Sequence, residues 1–133
     1  MSSNTQVSTS CVNLQADLIS SRLVSGYLDM YDGSQPATAD TAITTQQLIA
    51  TLRFSGSTPP SATNGTVILD LIPDIALQDG TVTWYRCYES NHTSVVMDGN
   101  IGTVDENMVL SMTTVLSGQL FNISNFQHIV RKQ

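Results

Sequence analysis

The chain has 133 residues, a formal net charge of -6, and 12% charged against 41% hydrophobic residues; one domain with a modest core and a neutral, Ser/Thr-rich surface is expected. Its five basic residues, Arg22, Arg53, Arg86, Arg131 and Lys132, form no stripe able to neutralise phosphates, which argues against direct nucleic-acid binding. No run approaches the ~18 apolar residues of a membrane span, and the N-terminus lacks the basic and apolar regions of a signal peptide, so a soluble, unsecreted chain is expected.

Residues 1–10 are polar and read as an arm that orders only against a partner. Val12, Ala16, Ile19 and Leu23 then fall at i, i+4, i+7 and i+11, one face of a helix with Ser10 as its N-cap and Gly26 beyond its end. The chain thus divides into an arm and short helix over residues 1–25 and a β domain over residues 26–133. From Gly26 onward the pattern becomes that of strands. Residues 27–31, 48–54 ("LIATLRF") and 66–72 ("TVILDLI") are short runs bounded by turn residues. Between the last two, Pro59, Pro60 and Asn64-Gly65 mark a loop and a tight turn. In "TVTWYRCYES", Val82, Trp84, Arg86 and Tyr88 share one face and Thr81, Thr83, Tyr85 and Cys87 the other, so one aromatic-rich face should pack inward.

Strand patterns continue over residues 93–99, 107–112 and 119–130, separated by Asp-Gly and Ser-Gly turns. No helical crossover is long enough for a βαβ unit. The expectation is an all-β fold, an antiparallel β-sandwich of jelly-roll type with about seven or eight strands, a closed barrel being the second choice. Cys11 and Cys87 fit no C-x-x-C spacing and read as free thiols. The N-x-(S/T) matches at Asn64, Asn91 and Asn122 are chance products of a Ser/Thr-rich chain.

A search for chemistry starts from the two histidines, the commonest general bases and metal ligands. His92 lies in a turn, "SNHT", and His128 in the last strand; neither belongs to a zinc, nucleophile-elbow or phosphate-loop motif. Asp29, Asp32 and Asp40 are spaced wrongly for an EF-hand. A carboxylate-pair glycosidase or a sugar-binding module calls for more aromatic residues than the 6% present. No catalytic, cofactor-binding or metal-binding residue is expected, and no enzyme.

Residues 26–54, "GYLDMYDGSQPATADTAITTQQLIATLRF", follow the form G-x-L-x-I-Y-D-G-x-Q-P-x-x-x-D-T-A-(I/V) and then L-x-x-L-x-F. Gly26, Leu28, Tyr31, Asp32, Gly33, Gln35, Pro36, Asp40, Thr41, Ala42, Ile43, Leu48, Leu52 and Phe54 carry the match. This resembles small structural proteins of tailed bacteriophages. "GTVTWYRCYESNHTSVVMDGNIGT" and "SGQLFNISNFQ" look like that family's second block and closing strand. The middle stretch "NGTVILDLIPDIALQDG" is more apolar than its Ala-rich counterpart, as an extra apolar contact surface would be.

The resemblance implies a virion component made in the host cytoplasm, first of all a head decoration or cement protein on the capsid surface. Its partner would be the major capsid protein, bound as a homo-oligomer, dimer or trimer, without cofactor, nucleic acid or membrane. A neck or tail component is the alternative, and a carbohydrate-binding module the alternative of another class. The expected partner contacts are Asp32, Gly33, Gln35, Pro36 and Asp40 in the excursion between two strands, and Val7, Val12 and Leu14 in the arm and helix.

Overall fold

The computed structural model describes residues 6–103, 108–110, 112–123 and 126–130. The expected arm residues 2–5, the pair Arg131 and Lys132, and Asn107, Ser111, Ser124 and Asn125 of the expected strands lie outside the described residues.

Helix α1 (Thr9–Leu23) buries Val12, Ala16 and Leu23, with Ile19 half-buried against the core, so the apolar periodicity places its inner face correctly. Its N-cap is Ser8 rather than Ser10. Ser8 has extended backbone and its Oγ accepts from the Cys11 N–H at 3.2 Å, satisfying one of the first-turn donors; Ser10 already lies inside the helix. Beyond the helix end, Ser25 takes the left-handed conformation at φ 59°. Gly26 is needed for a different reason: a Cβ there would run into the Tyr88 and Leu23 carbonyls.

The main sheet runs β4 (Leu71–Ile72), β2 (Leu48–Phe54), β1 (Tyr27–Tyr31), β7 (Trp84–Tyr88), β8 (Val95–Gly102) and β9 (Met108–Val109). Its first five strands are antiparallel; β9 joins β8 in parallel, a departure from the expected pairing. Around it lie three two-stranded ladders: β3 (Thr66–Leu69) with β12 (Phe126–Ile129), β5 (Asp74–Ile75) with β11 (Leu120–Phe121), and β6 (Gly80–Thr81) with β10 (Thr114–Val115). The described residues form an all-β, sandwich-like fold with one short helix.

Two runs that look continuous in sequence are divided. Residues 66–72 break at exposed Asp70: β3 pairs with β12, while β4 crosses to the edge of the main sheet beside β2. The Asp70 carbonyl accepts from Ser55 N–H at 2.9 Å and fixes that corner. Residues 119–130 divide likewise, β11 serving β5 and β12 serving β3.

One face of the main sheet makes the core. Leu28 and Met30 of β1 sit opposite Leu52 and Ala50 of β2, flanked by Phe54, Leu71, Tyr85 and Cys87, all buried. Phe126 of the second layer meets Phe54 and Tyr85 edge-on at centroid distances of 5.4 and 5.7 Å. The helix closes one end of this core, the side-chain Oδ1 atoms of Asn13 and Asp17 accepting from Gly65 and Ala62 N–H at 2.8 and 2.7 Å.

Candidate functional site

The opposite face of the main sheet is polar, and it is buried too. On β1 the alternating residues Tyr27, Asp29 and Tyr31 point to this side, and on β7 Trp84, Arg86 and Tyr88 do. Register places Thr51, Asp29, Arg86 and Asp98 in one row across four strands. The β7 residues therefore pack on both sides: Tyr85 and Cys87 enter the apolar core, whereas Trp84, Arg86 and Tyr88 are buried on the polar face.

Two polar units make up the row. Arg86 binds Asp98 through two parallel bonds, Nε to Oδ1 at 2.7 Å and Nη2 to Oδ2 at 2.9 Å, with both side chains about 95% removed from solvent. These bonds outweigh burial and raise the Arg86 pKa. Its guanidinium also lies 5.3 Å from the centroid of the Trp84 ring. Asp29, buried beside it, accepts from Thr51 Oγ1 at 2.8 Å and Tyr31 Oη at 3.3 Å, and its two oxygens lie 3.0 and 2.9 Å from His92 Nε2.

His92 reaches Asp29 from the β7–β8 hairpin, where it holds φ 57°. That conformation costs a non-glycine residue about 1 kcal/mol or more. The Asp29 contact offsets it, as does stacking of the imidazole on Tyr27 at 4.1 Å. Arg53 covers the same Tyr27 ring at 4.8 Å, and Tyr31 stacks on Trp84 at 4.6 Å. Burial, followed by hydrogen bonding to Tyr88 and the charge on Asp29, pushes the Tyr31 hydroxyl well above the usual phenol range.

The excursion between β1 and β2 is built onto this face. Asp32 N–H donates to the Gln47 carbonyl at 3.1 Å and Gln47 N–H donates to Asp32 Oδ1 at 2.6 Å, closing its base. Trp84 Nε1–H reaches the Asp32 carbonyl at 3.0 Å and Thr83 Oγ1 the Gly33 carbonyl at 2.6 Å. Further out, Gln46 Nε2 binds the Ser34 carbonyl at 2.6 Å, and Arg86 Nη2 stands 3.5 Å from that of Thr38. The loop thus lies back over the polar row with its outer side in solvent.

The expected contact residues separate accordingly. Gly33, Gln35 and Asp40 are exposed, Pro36 is half-buried, and Asp32 is half-buried with its carboxylate used to close the loop. Leu14 is exposed on α1, and Val7 is half-buried ahead of the helix. Val12 is 1% exposed and belongs to the inner helix face against the second layer, so it is a core residue and not a partner contact. Its i, i+4 relation to Ala16 carried that information already.

Sequence reasoning missed the polar unit joining His92, Asp29, Tyr31 and Thr51. A signal for it existed in the alternation Tyr-x-Asp-x-Tyr facing Trp-x-Arg-x-Tyr, two strands with charges on one side and apolar residues on the other. Among the described residues no group of three or more His, Cys, Asp or Glu could hold a metal, and no helix is long and apolar enough to cross a membrane. No protein-family model, curated protein or solved structure matches this chain. Chemically, the polar face is a brace: its buried charges, Asp29, Arg86 and Asp98, are bonded to neighbours in the same chain, and the excursion, His92 and Arg53 form its outward surface.

Proposed function

We propose that this chain is a structural component of a tailed-bacteriophage virion, a head decoration or cement protein that binds assembled capsid and catalyses no reaction. The observation supporting this reading is the state of the motif-bearing excursion. Gly33, Gln35 and Asp40 stand exposed on a loop held at its base by Asp32, Gln47, Trp84 and Thr83. A loop so held loses little entropy on docking, which suits repeated contacts on a lattice, where many copies or a homo-oligomer gain avidity from weak single contacts. The aromatic rings that a sugar-binding module would display are instead used internally, Tyr31 against Trp84 and Tyr27 between His92 and Arg53.

The test is cosedimentation of the purified chain with assembled empty heads and with unassembled capsid protein. Saturable binding to heads and none to free subunits is expected, weakened by Gln35→Ala/Asp40→Ala. Binding only to tails would move the protein to the neck or tail, and absence of binding to any virion part would refute the structural reading.

A further inference from the structure

Half of the ten large apolar side chains exposed among the described residues fall on the segments around the β5–β11 ladder; the others lie on α1 (Leu14, Leu18), the β3–β12 ladder (Ile68, Ile129) and β4 (Ile72). Ile75 and Leu120 stand directly opposite one another in the β5–β11 ladder, 48% and 60% exposed, and so share an outward face. Three backbone and hydroxyl bonds hold the segment after Ile75 against the turn before Leu120. Ala76 N–H donates to the Gln119 carbonyl at 2.8 Å, Gly118 N–H to the Ala76 carbonyl at 2.8 Å, and Ser117 Oγ to the Leu77 carbonyl at 3.4 Å. This sets Leu77 beside the turn that carries Leu116, both exposed. Exposed Met112 lines the same shallow hollow as Leu120.

These five side chains are exposed on a chain whose polarity comes mostly from Ser, Thr, Asn and Gln. Neighbouring Ala76 and Phe121 already satisfy the core from the same two strands, so folding does not require the outward positions to be apolar. Contiguous apolar patches of this kind on a folded chain mark interaction sites. The face is also rigid. Leu77 N–H donates to the Ile49 carbonyl at 2.7 Å and Gln78 Nε2 to that of Leu48 at 2.6 Å, tying it to the main sheet.

Charge selects the occupant. Exposed Asp74 and Asp79 flank the patch, Asp74 Oδ1 accepting from Ile75 N–H at 2.8 Å and Asp79 capping Ser117 N–H at 2.7 Å. The arginines of the described residues are engaged elsewhere, Arg22 with Glu89, Arg53 over Tyr27 and Arg86 with Asp98. A second copy of this face would bring acidic rim to acidic rim. We infer that the face of Ile75, Leu77, Met112, Leu116 and Leu120 docks a different protein, one presenting aliphatic side chains ringed by Lys or Arg. Within the virion reading, on which this rests, that partner is a heterologous subunit of the assembly, bound at a site separate from the excursion. An apolar centre supplies affinity there, and the opposed rims supply orientation and a dependence on salt.

The experiment uses the full chain with purified assembled heads, in cosedimentation titrations at low and moderate salt. Two patch variants are compared, Leu116→Glu/Leu120→Glu and the strand-compatible Ile75→Thr/Leu77→Thr, with Leu18→Glu on α1 as the control. Each is first checked for unchanged thermal unfolding. Both patch variants are expected to bind about tenfold or more weakly, the helix control to bind as wild type, and Asp74→Lys to weaken binding most at low salt. If wild type binds heads and both patch variants bind equally well, this docking face is wrong and the virion reading stands. Self-association of the wild-type chain that the patch variants abolish would assign the face to a second copy and overturn the inference. A wild-type chain that binds no virion part removes both.

Discussion

The Arg86–Asp98 pair is the sharpest place to test the polar face, because both partners are almost fully out of water and joined by two short bonds. Asp98→Asn keeps the shape and one acceptor but removes the charge, leaving the guanidinium buried beneath the excursion. It then keeps one neutral amide acceptor, the Tyr88 side chain, the Thr38 carbonyl at 3.5 Å and the Trp84 ring, with no counter-charge. Removing one partner of a buried pair costs about 3–5 kcal/mol, a large share of the ~5–15 kcal/mol that holds a domain together. At roughly 4 °C per kcal/mol for a chain of this size, the melting temperature should fall by about 12–20 °C. Urea unfolding followed by circular dichroism gives the free energy directly. A cycle of Arg86→Met, Asp98→Leu and Arg86→Met/Asp98→Leu completes the test; the double variant should regain most of the single losses because no lone charge remains buried. A loss below about 1 kcal/mol for Asp98→Asn, or single losses that simply add in the double variant, would refute the account of a dry, coupled pair.

Alkaline pH should destabilise the fold. Burial raises the Cys87 thiol and the Tyr31 and Tyr85 hydroxyls above their ordinary values of 9.0 and 10.0. Above those values the unfolded chain releases protons that the folded chain keeps, so stability falls as pH rises, by up to ~1.4 kcal/mol per pH unit for each group. Urea midpoints that stay flat from neutral pH to beyond the ordinary tyrosine range would contradict this burial. Gly26→Ala should lose ~1–3 kcal/mol, since the new methyl meets backbone carbonyls of Tyr88 and Leu23 that cannot move aside. Gly56→Ala should stay within about 0.5 kcal/mol, because the nearest atom is the Ser25 hydroxyl; similar losses for the two in denaturant titrations would show that close approach is not what Gly26 provides.

What the sequence determined by itself is the local periodicity and its punctuation. The helix face of Val12, Ala16 and Leu23, strands β1 and β2 at the bounds expected, the turn at Asn64-Gly65 and the sandwich-like class were legible because side-chain spacing and turn residues act over a few positions. Tertiary structure decided what one strand meets in another. Asp70 reads as one polar residue in an apolar run, and only pairing of β3 with β12 and β4 with β2 makes it a corner. His92 reads as a turn residue, and only the neighbouring positions of β1 and the β7–β8 hairpin bring it to Asp29, 63 positions away in the chain. The same holds for the outward patch: Ile75 and Leu120 look like core residues until the ladder between them turns both to solvent while Ala76 and Phe121 turn in. Periodicity says which residues share a face of one strand. Which face is covered, and by what, depends on contacts distant in sequence, and those the three-dimensional fold alone supplies.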